Sequence, residues 1–235
     1  VYFILPFTFM ITLLCYGCFI ASEFARIEKE AEHKQLLEQE LLNAKMAYLT
    51  SQIQPHFQYN TLAMIQELCY SNPLKAADAI VKFSSVLRRR VDFNHYSQLE
   101  PFEKELSCIT DYIDLQRMRF GDTLIFHSDI QYTQFDIPPL SIQTLIENAI
   151  YHGIRKKKSG GILTLKTYKE NNIIYIIVSD NGIGFDLNVL HNSKGNGIHN
   201  SQARIVSLTG GSLNIASTPG TGTTVTIEIP QKRTF

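Results

Sequence analysis

The sequence carries no excess of either charge: 22 Lys and Arg stand against 22 Asp and Glu in 235 residues. A global electrostatic attraction to nucleic acid is therefore absent. Cysteine is scarce, with four residues at positions 15, 18, 69 and 108, and no disulfide framework is expected. Cys15 and Cys18 have half the spacing of a zinc site, but they lie in an apolar run without a second pair or a histidine. Charge is missing altogether before Glu23. Val1 to Ser22 is 22 residues long, roughly 33 Å as a helix at about 1.5 Å per residue, enough to cross a bilayer. A secretory signal would have a basic start and a shorter apolar core. Arg26, Lys29 and Lys34 follow the run, which sets residues 23–235 in the cytoplasm by the positive-inside rule. A starting methionine is also lacking, so the chain is expected to be the C-terminal part of a longer membrane protein.

Glycine and proline are absent from Ala21 to Thr50, a stretch rich in Glu, Lys, Gln, Leu and Ala. That composition predicts one long helix. Phe24, Ile27 and Ala31 step by three and four, and Leu37, Leu41, Ala44 and Tyr48 repeat the step in a shifted frame. The seam fits a short coiled coil whose register slips near Lys34; a solvated connecting helix is the alternative.

Three helical segments come next. Thr61 to Tyr70 continues a first helix, which Ser71-Asn72-Pro73 ends. Leu74 to Val91 forms a second, with Ala76, Ile80, Phe83, Val86 and Leu87 on one side. The short link predicts an antiparallel hairpin, and so small a hairpin is expected to pair with a second copy. Arg88-Arg89-Arg90 reads as a solvated helix end that suits the dipole. A third helix runs from Glu103 to Phe120. From Thr123 the pattern changes to strand, helix, hairpin, helix, hairpin: Leu124 to Phe126, Leu140 to Ile154, Ile162 to Tyr168 with Ile173 to Val178, Gly197 to Leu208, and Leu213 to Ser217 with Thr223 to Ile229. This predicts an α+β chain ending in an α/β sandwich with a mixed sheet on one side.

Several islands carry chemistry. In Gln52-Ile53-Gln54-Pro55-His56-Phe57-Gln58-Tyr59-Asn60, His56 and Asn60 share a helix face, and Pro55 predicts a bend beside the imidazole. A neutral imidazole offers a lone pair near pH 7. Glu147-Asn148 sets a carboxylate and an amide amid apolar residues, where a hydrated Mg²⁺ with nucleotide phosphates is a fitting partner. In Asp180-Asn181-Gly182-Ile183-Gly184-Phe185, an acid at a strand end can accept from a base's exocyclic amine while glycine lets backbone approach the ring. Gly195-Asn196-Gly197 enters a helix, where free N–H groups suit phosphate. Gly220-Thr221-Gly222-Thr223 is a tight turn into the last strand. Each island alone is compatible with ordinary turn glycines.

In order, these islands resemble the Asn-containing box and the three glycine boxes of the GHKL ATPase superfamily. The stretch around His56 resembles the histidine box of LytS-like sensor histidine kinases, Gln-x-x-Pro-His-Phe-x-x-Asn, and Arg119-Phe120-Gly121-Asp122 resembles the segment before their ATPase domain. The resemblance spans about residues 45 to 230. It implies that His56 accepts a phosphoryl group from ATP and passes it to an aspartate on a response regulator's receiver domain. Asn148 would ligate Mg²⁺, with Glu147 orienting water or accepting a proton and His152 contacting nucleotide. Asp180 would bind the adenine amine, supported by Gly182 and Gly184. Gly195 and Gly197 would flank the phosphates, and Gly222 and Thr223 would complete the adenine pocket.

The implied organisation is a transmembrane helix at 1–22, a juxtamembrane coiled-coil helix at 23–50, a dimerisation and phosphoacceptor region at 51–121, and an ATP-binding domain at 122–235. The whole is expected to be a homodimer in a bacterial cytoplasmic membrane. Four departures stand out. Tyr151 occupies a position where the family often has Lys, with Arg155 to Lys158 as a candidate replacement. Gln202 replaces an Arg common in the helix after Gly197. Phe57 follows His56 where many histidine kinases have an acid. The loop from Asp186 to Lys194 is short. A nucleotide-binding scaffold without transfer, and a GHKL ATPase of another kind, are the alternative functions.

Overall fold

Alternation along the last third of the chain builds a sheet with one face turned to the core. The computed structural model describes residues 55–91, 98–186 and 196–231, with a few helical positions between 23 and 35. The expected membrane span at 1–22 lies outside the described residues. Among the described residues, no helix is long and apolar enough to cross a membrane. Of the expected coiled-coil helix, Glu23, Arg26, Ile27, Lys29, Glu30, Lys34 and Gln35 are helical. There Arg26 bridges Glu23 at 3.2 Å and Glu30 at 3.6 Å. The bend expected at Pro55 also involves residues outside those described.

Residues 55–235 form one compact unit. Its elements are α1 (Pro55–Ser71), α2 (Pro73–Val91), β1 (Glu100–Pro101), α3 (Phe102–Phe120), β2 (Leu124–Ile130), β3 (Asp136–Ile137), α4 (Ser141–Asn148), β4 (Gly161–Glu170), β5 (Ile173–Asp180), α5 (Asn196–Thr209), β6 (Ser212–Thr218) and β7 (Gly222–Pro230). The sheet has five strands in the order β2-β4-β5-β7-β6. β2 and β4 run parallel and all other neighbours antiparallel, the mixed sheet expected. β2 reaches β4 through α4, the helical crossover that a parallel pair requires. β4 and β5 are joined by Asn171 and Asn172, both at positive φ, the conformation that a two-residue hairpin turn favours.

The inward positions are Leu163, Leu165 and Thr167 on β4, Ile174, Ile176 and Val178 on β5, and Val225, Ile227 and Ile229 on β7, all buried. At about 25 cal/mol per Å² of apolar surface, this layer is a main source of the half's stability. The two-residue pairing of β1 with β3 had no sequence signal, because so short a bridge has no period to show.

In the hairpin, Asn72 caps α2: its Oδ1 accepts the N–H of Lys75 at 3.1 Å, and Pro73 occupies the first helical turn, where its missing N–H costs nothing. The buried stripe of α2 is Ala76, Ala79, Phe83 and Val86. Ile80, expected in that stripe, is largely exposed, and Ala79 faces the core in its stead. The expectation of a solvated Arg88-Arg89-Arg90 end is corrected. Arg90 is 5% exposed and donates to Glu147 on α4, while Arg89 donates to Glu100. A buried guanidinium needs a carboxylate within reach, and the packing of α2 against the rest of the unit supplies one.

Candidate functional site

Phe57 anchors the region of the histidine. Its ring is buried against Tyr112 at 5.1 Å and Phe83 at 5.9 Å between centroids. His56, next along α1, is turned outward and half-buried. Asn60, one turn on, contacts its Nδ1 at 2.5 Å. From the segment after α4, the guanidinium of Arg155 reaches the same Nδ1 at 3.2 Å. Tyr151 meets the imidazole edge-on with centroids 5.7 Å apart, and Arg155 lies over the Tyr151 ring at 4.9 Å. Burial lowers the His56 pKa first, and the charges of Arg155 and Arg119 lower it further. Both effects favour the neutral ring, the form that has a lone pair to offer.

The second group of candidates surrounds the end of β5. Asp180 is half-buried, and its Oδ1 accepts the N–H of Gly182 at 2.8 Å. Burial raises its pKa, while the N–H groups of Gly182 and Thr223 and the charge of Lys157 oppose the rise. Its glycines have an internal reason to be glycine. A Cβ on Gly182 would lie 2.3 Å from the carbonyl carbon of Gly153. Gly184 and Gly222 have φ of +57° and +121°, and a Cβ on either would strike the backbone of Thr218 or Asp180 at about 2 Å. The expected reason, approach of backbone to a ligand, is thus joined by a tighter one: loop backbones pack on each other. The turn before β7 is held by Ser217 Oγ, which takes the N–H of Phe185 at 2.9 Å and meets Thr223 Oγ1 at 2.9 Å.

Asn148 closes α4 and is partly exposed. Beyond it the helix widens into a π turn over Ala149–Gly153 and a 3-10 turn over Ile154–Lys156, a local distortion frequent at functional positions. His152 sits in that π turn, edge-on to Tyr151 at 4.9 Å, and its pKa is lowered by burial and then by Lys156. Glu147 points the other way. It is buried, and its Oε1 takes hydrogen bonds from Arg90 and, at 2.9 Å, from Gln143 Nε2. The partner expected for this carboxylate was hydrated metal or water; the structure gives it a guanidinium and an amide. Gly197 lies in the first turn of α5, and Gly195 lies outside the described residues.

Glu105 is a residue that sequence reasoning missed. Leu140, in the N-cap position of α4 with φ +58°, offers no side-chain acceptor. Glu105 of α3 does so in its place, accepting the N–H of Ile142 at 2.7 Å and of Gln143 at 3.1 Å. An acid one helical turn from Phe102, Cys108 and Ile109 was the available signal. The acceptors fit what the GHKL resemblance implies: Asp180 can accept from an amine, and the amide oxygen of Asn148 is the hard ligand that Mg²⁺ takes alongside phosphate oxygens.

Comparison with known proteins agrees with this arrangement. The family model "Histidine kinase" matches residues 44–124. The model "Histidine kinase-, DNA gyrase B-, and HSP90-like ATPase" matches residues 138–233. YwpD of Bacillus subtilis (strain 168), described as uncharacterized, is 37% identical over 217 residues, covering 88% of this chain and 78% of that protein. The sensor protein LytS of Oceanobacillus iheyensis is 34% identical over 83% of this chain and 34% of its own length. The sensor histidine kinase YpdA of Escherichia coli (strain K12) is 33% identical over 91% of this chain and 39% of its own. The chain thus spans little more than a third of these two sensor proteins. With a histidine-kinase segment and a GHKL-type ATPase segment in order, and LytS among its relatives, the chain belongs to the LytS-like sensor histidine kinases, ATP-dependent enzymes of two-component signal transduction.

Proposed function

We propose that this chain is the cytoplasmic output part of a membrane sensor histidine kinase, in which His56 takes the terminal phosphoryl group of ATP and passes it to an aspartate of a response regulator's receiver domain. One observation carries the reading: a half-exposed imidazole in contact with the turn that follows the Asn148 helix. Asp180 serves as acceptor for the adenine amine, and Asn148 holds the metal. Mg²⁺, when bound, neutralises phosphate charge. The protein's share of phosphoryl transfer is chiefly positioning and electrostatics, and the imidazole supplies the nucleophile. Glu147 acts as a structural link to Arg90 rather than as the base.

The second half of the proposal concerns assembly. Residues 1–22 span the membrane, 23–50 lead out as a paired helix, and the hairpin of α1 and α2 forms the homodimer. Several large apolar side chains on that hairpin are exposed, among them Tyr70 at 86% and Leu74 at 85%, which favours a partner over solvent.

Incubation with ATP labelled at the γ-phosphate tests the transfer. Acid-labile, alkali-stable label that disappears in His56→Gln is the expected result; nucleotide binding without label would refute transfer. That outcome would support a nucleotide-binding scaffold, a reading favoured by one feature: Tyr151 stands where the resemblance leads one to expect Lys.

A further inference from the structure

We infer that Arg155, seconded by Arg119 and held by the face of Tyr151, is a catalytic residue of the kinase reaction: its guanidinium receives the phosphoryl group as it arrives at His56. The inference rests on the kinase reading of His56 and adds a role for the loop that follows α4.

Geometry selects one residue from the run Arg155-Lys156-Lys157-Lys158. Lys157 is committed, its Nζ donating to the carbonyl of Asn181 at 2.7 Å. Lys156 and Lys158 are exposed, and neither has a described contact with the histidine. Only Arg155 of this run is in hydrogen-bond contact with the imidazole, at 3.2 Å. A guanidinium can donate and never accept. It therefore cannot take the ring proton, and its value beside a nucleophile lies in the charge it presents.

That charge is doubled and unanswered. Arg119, at the end of α3, is close enough to Arg155 and to His56 to act electrostatically on both. Among the described residues, neither arginine forms an ion pair with a carboxylate. Two like charges facing one imidazole are costly in an apo protein and fitting once an anion joins them. Tyr151 positions the arrangement: one ring touches the imidazole edge-on and carries Arg155 on its face. The aromatic residue at this position thus orients a cation instead of supplying one.

The chemical step balances with ATP as the only co-reactant. A lone pair on one ring nitrogen forms the N–P bond while the P–O bond to ADP breaks, its electron pair leaving on ADP. The proton of the other ring nitrogen departs to water. Through this step charge is spread over the three phosphoryl oxygens, and Arg155 shifts from the ring nitrogen onto them. The same arginines add to burial in disfavouring the imidazolium beforehand, so one pair of charges serves both nucleophile and product.

The test compares the full chain with Arg155→Ala, Arg155→Lys, Tyr151→Leu and, as a control at an exposed lysine of α3, Lys104→Ala. Initial labelling rates are read at saturating ATP, alongside ATP KM, thermal melting and rate against pH. Loss of a preorganised charge at the transferring group predicts a fall of roughly 10²-fold in rate for Arg155→Ala, with KM little changed. Arg155→Lys retains part of the rate because it keeps the charge. Tyr151→Leu falls between the two. Lys104→Ala stays at the parent rate. The acid limb of the pH profile moves to higher pH in Arg155→Ala, because one of the charges disfavouring the imidazolium is gone; a purely structural role would not move it. An unchanged rate and limb in Arg155→Ala, or an equal loss in Lys104→Ala, overturns the inference. If Arg155→Ala fails to melt cooperatively, Arg155→Lys and Tyr151→Leu decide by the same readouts. A parent chain that takes no label at His56 overturns the kinase reading itself, and this one with it.

Discussion

The helical hairpin of α1 and α2 and the five-stranded sheet dispose of their apolar side chains in opposite ways. In the sheet half, alternation sends Leu163, Leu165, Ile174, Ile176 and Ile227 inward, and each is 2% exposed or less. In the hairpin, one face packs on α3 through Phe57, Ala79, Phe83 and Val86, while Tyr59, Leu62, Tyr70, Leu74, Ile80 and Val81 remain exposed. The sheet half closes its core within a single chain. The hairpin buries one face against α3 and leaves these side chains of the other exposed. Buried polar links join these parts, Arg90 of the hairpin to Glu147 and Glu105 of α3 to the start of α4, so the helices that carry His56 and Asn148 share one framework.

Breaking those links has the largest expected effects. Arg90→Ala leaves Glu147 buried without its cation and is expected to cost about 4 kcal/mol of unfolding free energy. Chemical denaturation measures it, and a double-mutant cycle with Glu147→Gln recovers much of the loss if the pair is what joins the halves.

Glu105→Ala strips the start of α4 of its acceptor and is expected to cost about 3 kcal/mol. Glu105 also gives a pH signature. Burial pushes its pKa up to about 7, above the ordinary 4.5. The folded state therefore holds this proton more tightly than the unfolded chain does. The stability it contributes is full below about 4.5 and is lost as pH rises to about 7. Glu105→Gln should flatten that part of the stability profile in a series of melts.

Within the sheet half, Gly182→Ala places a methyl against the backbone of Gly153. It is expected to displace the loop that holds Asp180 and to weaken nucleotide binding by at least tenfold, about 1.4 kcal/mol, as read by calorimetry. In the hairpin, Leu74→Lys is expected to shift a dimer toward monomer in sedimentation while leaving the melting of the sheet half unchanged. The smallest effect belongs to Lys82, which bridges Asp78 at 3.0 Å and Asp114 at 2.8 Å near the surface. Lys82→Ala should cost less than about 1 kcal/mol.

The sequence made the sheet half more legible than the hairpin's links. Strands from Ile162 and Ile173 and a helix from Gly197 follow from period and turn residues, and they match β4, β5 and α5 to within a few residues. Asp180 and the glycines after it stood out as an acid at a strand end beside turn residues, and the structure gathers them at the end of β5. Arg90 and Glu105 did not stand out in this way, and Arg155 did so only as one of a run of four basic residues. Each gets its meaning from a residue far along the chain: Glu147, the backbone of Ile142, and His56. A charge run such as Arg88-Arg89-Arg90 looks the same whether its last member faces water or a buried carboxylate. The exchange of Ile80 for Ala79 in the buried stripe has the same origin, since two helical faces 100° apart carry apolar residues and only packing chooses between them.

The central claim is tested most directly by locating the phosphoryl group. The full chain is incubated with ATP and Mg²⁺, kept at alkaline pH and digested, and the peptides are mapped by mass spectrometry. The account predicts a single phosphorylated peptide, with the group on His56. Phosphate on another residue, or none while nucleotide is bound, would contradict it.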